Sequence, residues 1–229
     1  MKRSFIPCLI ILMAIVSNVS AAEFGPPEPL ADTGKFSLGL GYGIDRDKMK
    51  QGDDRLGAKS HEYYVQGSYT FLKDWEVNGA LGGADERLYD RDLQVRSTDG
   101  GKLFGSLGTK GVLYRNGSFA LGPFLQGSLY ADHSGVTKNE WDLNLGVSAQ
   151  YAIKAGDRNL TVYGGPFAYV HRADSDTGMI NPQDDIQERG NVGGFLGIRV
   201  PVVSQKLFLT AETELKERIG GALSLGYKF

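Results

Sequence analysis

Residues 141–153 read WDLNLGVSAQYAI, and this stretch decides the fold. Side chains along a β-strand point alternately to opposite faces, so a period of two gives a strand one apolar face and one polar face. A helix would scatter the same residues around its circumference. The pattern predicts a long strand whose apolar face consists of Trp141, Leu143, Leu145, Val147, Ala149, Tyr151 and Ile153.

The same alternation recurs along the chain and predicts ten strands, with eight as the alternative. Short links at 73–74, 115–117, 155–159 and 201–205 alternate with long hydrophilic links at 45–60, 85–101, 131–138 and 172–190. Tight turns at one end and long links at the other are typical of an up-and-down antiparallel meander. The predicted strands begin near Phe36, Tyr63, Trp75, Leu103, Phe119, Trp141, Leu160, Val192, Leu207 and Ile219.

The polar face of these strands separates a soluble barrel from a membrane barrel. A soluble barrel buries apolar residues, and so many charges could not fill a dry core. Strands of about 11–13 residues also suit a tilted crossing, and aromatic residues at strand ends suit an interfacial girdle. We therefore predict an all-β fold, a closed up-and-down antiparallel transmembrane β-barrel. Its inward face carries Glu76, Asn78, Lys110, Asp142, Asn144, Gln150, Arg199, Glu212, Glu214 and Lys228.

The first 22 residues are predicted to be a secretory signal peptide. Lys2 and Arg3 precede the apolar run at 9–16, and small residues at 19–22 offer a cleavage site after Ala22. Cleavage removes Cys8, the single cysteine of the chain, so the mature protein can form no disulfide or cysteine metal site. Residues 23–33, which include Gly-Pro-Pro-Glu-Pro, are predicted to be an extended periplasmic lead-in. Residues 34–229 form the predicted barrel.

The last strand carries a resemblance to a known group. The signal peptide, the meander and the ending Leu223-Ser-Leu-Gly-Tyr227-Lys-Phe229 resemble the small Gram-negative outer-membrane β-barrels, which include the OmpA barrel, OmpX and OmpW. The resemblance implies that Tyr227 and Phe229 form the signal recognised by the barrel-assembly machinery. The chain departs from the group at Pro123 and Pro166, where bulges or shifted strand boundaries are expected.

Candidate chemical sites are few. Asp132-His133-Ser134 suggests an outer-membrane lipid hydrolase, but adjacent strand residues point to opposite faces, so a solvated loop is the better interpretation. Asp174-Ser-Asp176 after His171 resembles the start of a calcium loop that lacks its remaining ligands. The near balance of 25 basic and 27 acidic residues disfavours a nucleic-acid partner. We expect no catalytic residue, no metal site, no cofactor and no enzymatic activity.

The inward charges predict a network inside the barrel. Barrels of about eight strands have interiors filled by side chains, whereas open channels need about sixteen, so ten strands favour a filled lumen. We expect an outer-membrane protein with a structural or surface-interaction role, whose outward loops contact lipopolysaccharide or an external partner. A narrow pore for small solutes is the alternative, and a lipid-modifying enzyme comes third. The predicted lumen network consists of Glu76, Lys110, Arg199, Glu212, Glu214 and Lys228.

Overall fold

Strands make up nearly all of the chain that the structure describes. The structure is a computed structural model, and it describes residues 23–51, 54–89, 95–132, 137–156, 158–175, 186–188, 191–203, 205–216 and 219–229. Within these ranges the strands are β1 (Phe36–Gln51), β2 (Asp54–Leu72), β3 (Trp75–Tyr89), β4 (Val95–Gly111), β5 (Tyr114–Asn116), β6 (Phe119–Tyr130), β7 (Thr137–Ala155), β8 (Arg158–Ser175), β9 (Ile186–Glu188), β10 (Val192–Val203), β11 (Leu207–Leu215) and β12 (Ile219–Lys228).

The strands close on themselves into a barrel. Consecutive long strands pair antiparallel, β12 pairs with β1 through Leu40 and Leu225, and β8 pairs with β10 through Tyr163 and Gly197. Among the described residues the closed ring contains ten strands, since β5 and β9 lie outside it as short additions. The predicted ten-stranded up-and-down barrel is confirmed, and the eight-stranded alternative is wrong.

The outside of the barrel is apolar and the inside is polar. Leu145 is 56% exposed, whereas the neighbouring Asn144 and Ser148 are buried in the lumen. The faces therefore lie as the alternation predicts. A belt of exposed apolar and aromatic side chains around a polar interior is the surface of a membrane-spanning barrel. On most strands this belt is formed by Phe36, Leu38, Leu40, Tyr63, Val65, Leu81, Leu103, Leu107, Leu125, Leu129, Leu143, Leu145, Val147, Tyr151, Leu196, Leu215, Ile219 and Leu225. No helix within the described ranges is both long and apolar enough to cross a membrane.

Several strands extend well beyond the membrane belt. β2 and β7 each have 19 residues and β8 has 18, so segments predicted as long links are partly strand. The apolar pattern marks only the lipid-facing part of each strand, because the part in water has no need of an apolar face. β9 pairs with both β1 and β8 above the shorter strands β10, β11 and β12. β9 thereby extends the wall above these three shorter strands. The end of the barrel at which the long hairpins lie is here called the long-hairpin end.

Glycines in the lumen make room for aromatic rings. Six inward-facing aromatic residues each lie directly opposite a glycine on a neighbouring strand. A Cβ on any of these glycines would lie between 2.2 and 3.2 Å from the ring. The high glycine content therefore serves packing inside the barrel. The pairs are Gly41 with Tyr64, Gly82 with Phe104, Gly146 with Phe124, Gly193 with Phe167, Gly197 with Tyr163 and Gly226 with Phe208.

The two strand prolines do not introduce the expected bulges. Pro123 pairs with Val147 in unbroken register, and the register of β7 with β8 is the same on both sides of Pro166. On the β4 side, Pro123 lies one residue beyond the last pair of β4 with β6, that of Lys110 with Phe124. The wall therefore absorbs both prolines without a shift in register.

Candidate functional site

Residues 23–31 lie inside the barrel and are here called the plug. The plug rises from the end with the tight turns, here called the short-turn end, toward the middle of the lumen. Glu23 and Phe24 are buried, whereas residues 32–36 at the mouth are exposed. The sequence predicts an extended periplasmic lead-in at residues 23–33, and the alternating pattern of the strands gives no indication that part of it lies in the lumen.

Lumen side chains satisfy the backbone of the deep half of the plug. The amides of Phe24 and Gly25 both donate to the Glu212 carboxylate, each at 2.9 Å. Lys110 Nζ donates to the Phe24 carbonyl at 2.9 Å, and Ser148 Oγ donates to the Gly25 carbonyl at 3.0 Å. The deep half is thus bonded to β4, β7 and β11 at once.

The lower half of the plug is held in the same manner. The Leu30 amide donates to Glu76 at 2.8 Å, and Thr70 Oγ1 donates to the Ala31 carbonyl at 2.9 Å. Glu28 bonds Gln150 through its amide and its carboxylate, and it forms an ion pair with Arg115 at 3.2 Å. Because buried backbone groups without partners are costly, these bonds make the lumen a specific receptor for an extended chain.

Phe24 anchors the plug in an aromatic core. Its ring lies 4.6 Å from Phe124, 4.9 Å from Phe167 and 5.2 Å from Phe195, measured between centroids. These three rings come from β6, β8 and β10, so one side chain of the plug ties together three strands of the wall. Such aromatic pairs contribute about 0.5–1.5 kcal/mol each beyond the burial of their area.

The six charges predicted to form a lumen network lie in four places. Glu76 and Lys110 are buried and form an ion pair at 3.3 Å beside the plug, and Glu212 binds the plug amides. Glu214 pairs with Lys216 at 3.7 Å, above Glu212 on the same strand. Arg199 donates to Thr210 at 3.4 Å, and its guanidinium lies over the ring of Phe208. Lys228 lines a cavity at the short-turn end.

A second polar cluster fills the lumen toward the long-hairpin end, and we call it the outer cluster. Lys102 pairs with Glu140 and, at 3.7 Å, with Glu86, while Tyr130 donates to Asp142 at 3.2 Å. Aromatic packing of Tyr64, Phe104 and Tyr130 lies next to these ion pairs. The lumen is thus occupied by side chains above the plug as well. The outer cluster is defined by Glu62, Glu86, Lys102, Tyr130, Glu140, Asp142 and His171.

The space that remains around the plug is small. A cavity of 40 Å³ beside Glu23, Gln66 and Lys110 has room for only a few water molecules. A cavity of 230 Å³ opens at the short-turn end between the plug and the wall, and Arg199 and Lys228 are among its lining residues. The lumen therefore has a polar vestibule below a filled middle.

The weaker candidate sites receive no support from the geometry. His133, Ser134 and Asp176 lie outside the described residues, as does the predicted signal peptide with Lys2, Arg3 and Cys8. Asp174 accepts a hydrogen bond from Asn139 at 2.7 Å, and His171 lies 3.8 Å from Glu140. In the part of the chain that the structure covers, no cluster of His, Cys, Asp and Glu could hold a metal ion.

Tyr227 and Phe229 lie on the outer surface at the short-turn end. Both side chains are exposed, their ring centroids are 5.1 Å apart, and the Phe229 amide donates to the Phe36 carbonyl. This location leaves both rings accessible beside the seam between β12 and β1. Their role as an assembly signal stays a prediction.

Sequence reasoning missed the plug and the inward aromatic residues. The alternation does place Tyr64 and Glu62 on the inward face of β2, because Tyr63 and Val65 face outward. Nothing comparable marks Phe24, since it precedes the first strand. The sequence shows only a glycine at position 25. The structure gives the reason for it, because a φ of 71° favours glycine.

No known protein family matches the sequence, and no curated protein matches it. Several solved structures have a similar chain course. The translocator domain of the autotransporter NalP from Neisseria meningitidis is 12% identical over 97% of this chain and 94% of that chain, with a TM-score of 0.49. The COG4313 outer membrane channel from Pseudomonas putida F1 is 12% identical over 91% and 100%, with a TM-score of 0.45. Ail, the attachment invasion locus protein of Yersinia pestis, solved with the heparin analogue sucrose octasulfate, is 14% identical over 86% and 99%, with a TM-score of 0.34. The assignment to the membrane barrels rests on the closed sheet and the apolar belt of this chain.

Proposed function

We propose that the protein is exported by its signal peptide and resides in the outer membrane of a Gram-negative cell. The short-turn end, with the plug and the last strand, then faces the periplasm, and the long hairpins face outward. Lipid and lipopolysaccharide surround the belt, and the barrel-assembly machinery inserts the chain. The partner surface is a membrane rather than a nucleic acid, because the charges of the chain nearly balance.

Single-cysteine labelling tests this orientation, because a chain without residues 1–22 contains no cysteine of its own. Asp174 is exposed at the long-hairpin end and Asn116 at the short-turn end. A thiol reagent that cannot cross the membrane should label Asp174→Cys in intact cells and should label Asn116→Cys only after lysis. Labelling of Asn116→Cys in intact cells would reverse the orientation.

The function that the geometry supports best is a structural and surface-interaction role with a closed lumen. The observation that carries this proposal is the plug, whose buried backbone is bonded to the wall and whose Phe24 sits in an aromatic core. A conducting lumen needs continuous water, and here the middle of the barrel holds protein. The parts left to interact are the long hairpins, where exposed charges such as Arg87 and Arg172 can contact the phosphates and sugars of lipopolysaccharide.

A swelling assay tests closure. Vesicles that contain the purified mature protein should swell in an isotonic solution of a small neutral sugar no faster than vesicles without protein. Swelling that increases with the amount of protein would contradict the closed lumen.

Reversible unfolding in vesicles with and without lipopolysaccharide tests the surface role, because contacts of the hairpins with lipopolysaccharide should stabilise the folded barrel. Equal stability in both membranes would contradict it.

A narrow pore for small solutes is the second candidate, and the vestibule favours it. The cavity of 230 Å³ between plug and wall is lined by polar and charged groups, as a solute path would be. On this alternative the plug leaves the lumen to open the path.

We propose no enzymatic activity, because the residues that suggested a lipid hydrolase are adjacent in sequence and would point to opposite faces of a strand.

A further inference from the structure

The inner end of the plug is bound by a single carboxylate. Two successive amides, those of Phe24 and Gly25, donate to the two oxygens of Glu212, and Glu212 is 2% exposed. Two successive N–H groups that converge on one carboxylate form a short anion-binding cradle. The next nitrogen toward the amino terminus is that of Glu23.

Covalent geometry fixes how far this nitrogen can be from Glu212. Successive backbone nitrogens are at most about 3.7 Å apart, given the standard bond lengths, so the Glu23 nitrogen lies within about 7 Å of the nearer Glu212 oxygen. The Glu23 carboxylate lies close by, in the small cavity that Gln66, Lys110 and Arg199 also line. A positive charge on the Glu23 nitrogen would therefore have two carboxylates as neighbours.

Among the described residues, the charged groups nearest Glu23 include one more acid than bases. The acids are Glu23, Glu76 and Glu212 and the bases are Lys110 and Arg199, whereas Glu28, Arg115 and Lys228 lie toward the short-turn end. Across the residues whose burial is described, seven glutamates but only two lysines are buried. Because buried charges without compensation are costly, an additional cation at this place would stabilise the closed lumen.

We propose that the missing cation is the new amino terminus of the mature chain. Hydrolysis of the Ala22–Glu23 peptide bond consumes one water, leaves a carboxylate on Ala22 and turns the neutral amide nitrogen of Glu23 into an ammonium group. The lumen is then a binding site for that ammonium group, and removal of the signal peptide locks the plug in place. This inference rests on the export and the closed lumen proposed above.

Glu23 is buried, and it is the first residue of the predicted mature chain. An α-ammonium at the end of the segment needs no further chain in the lumen, and an ordinary α-amino group is largely protonated near neutral pH. A free α-ammonium group buried beside carboxylates therefore gives the plug a charged end that the lumen can bind. A segment that merely crossed the lumen would require no charge there.

The test compares the mature protein with one that differs only at its end. One chain begins at Glu23, and the other carries Gly-Ser before Glu23, which restores a neutral amide at this position. Both are folded into the same detergent and treated with an amine reagent that prefers α-amino groups, and the terminal peptide is quantified by mass spectrometry. We expect the α-amine of the mature protein to react at least tenfold more slowly than that of the extended chain.

Two variants test whether the Glu212 carboxylate is what slows the reaction of the α-amine with the reagent. Glu212→Gln should remove most of the protection, whereas Glu86→Gln, a buried glutamate paired with Lys102 in the outer cluster, should leave it intact. If Glu212→Gln does not fold, the comparison of native and extended chains still decides. Equal labelling rates in those two chains would overturn the inference. The closed lumen is tested separately, since a barrel that excludes sugar in both forms would refute only the role of the terminus.

Discussion

At Gly25 the plug and the wall approach closely. Its φ is 71°, and a Cβ there would lie 2.5 Å from Lys110 Nζ and 3.3 Å from Nη2 of Arg199. Both the backbone conformation and the space beside it therefore require glycine. The two cations that crowd this position are among those that compensate the plug carboxylates, so they cannot move away without loss.

Replacement of Gly25 by alanine should unseat the plug. The strained φ costs about 1–2 kcal/mol for a residue with a Cβ, and the contact with Lys110 adds to it. Gly34→Ala is the matched control, because Gly34 has a φ of 79° but nothing within 4 Å of its Cβ position. Reversible unfolding in vesicles should show a larger loss for Gly25→Ala than for Gly34→Ala. Equal losses would mean that strain alone matters and that the plug does not press on the wall.

Leu145 tests which face of the wall meets lipid. It lies on the outer face of β7 near the middle of the belt, so Leu145→Arg should cost about 2–4 kcal/mol of folding free energy in a bilayer. Ile153 is on the same face of the same strand near its short-turn end, where the cost of arginine should be about 0–1 kcal/mol. Folding titrations in lipid vesicles measure both. Similar losses at the two depths would contradict the position of the belt.

At this scale the sequence predicts the wall well and the plug poorly. Leu145 and Asn144 could be assigned to opposite faces because alternation is a local property of any strand with lipid on one side. The contacts of Phe24 join positions at least 100 residues apart in sequence, so no local pattern encodes them. Glu212 and Lys110 were identified as inward charges, but their partners depend on where the plug lies.

At the scale of the strand, the pairing of glycine with an aromatic ring determines how the lumen is packed. Tyr163 on β8 lies across from Gly197 on the neighbouring strand β10, and a Cβ there would lie 2.2 Å from the ring. Tyr64 covers Gly41 in the same way between β1 and β2. Such rings tie neighbouring strands together on the lumen side, where the backbone ladder alone would leave space.

Alanine at Gly197 should therefore weaken the contact between β8 and β10. Overpacking of a filled interior costs about 1–3 kcal/mol, and Tyr163 has no free space to enter. Gly194→Ala is the control on the same strand, because its Cβ would lie no nearer than 3.7 Å to another atom. Urea unfolding in detergent should show a lower midpoint for Gly197→Ala alone. An unchanged midpoint would show that the ring is not confined by the glycine.

Strand length is the element property that the sequence did not predict. Alternation of apolar and polar residues identified ten crossings because lipid imposes it, whereas the parts of β2, β7 and β8 in water carry no such constraint. The alternation does not predict β9 for the same reason. This strand has three residues, and its pairs with β1 and β8 lie above the belt. The long-hairpin end thus consists of paired strands rather than of irregular loops, as far as the structure describes it.

On the scale of the whole molecule, the plug contacts most strands of the wall. Side chains of β2, β3, β4, β7 and β11 bond the plug backbone, and β6, β8 and β10 surround Phe24. The outer cluster fills the lumen above the plug. Closure was favoured on size alone for a ten-stranded barrel. The structure places residues 23–31 inside this lumen, and we propose that they close it.

Single-channel recording tests this closure most directly, with the mature protein compared with a variant that lacks residues 23–31. Both are inserted into planar bilayers, after the shift of the folded band on an unheated gel has shown that each barrel is formed. The closed lumen predicts negligible current for the mature protein and stable current steps for the shortened one. Steady conductance of the mature protein, or a silent folded barrel without the plug, would contradict the account.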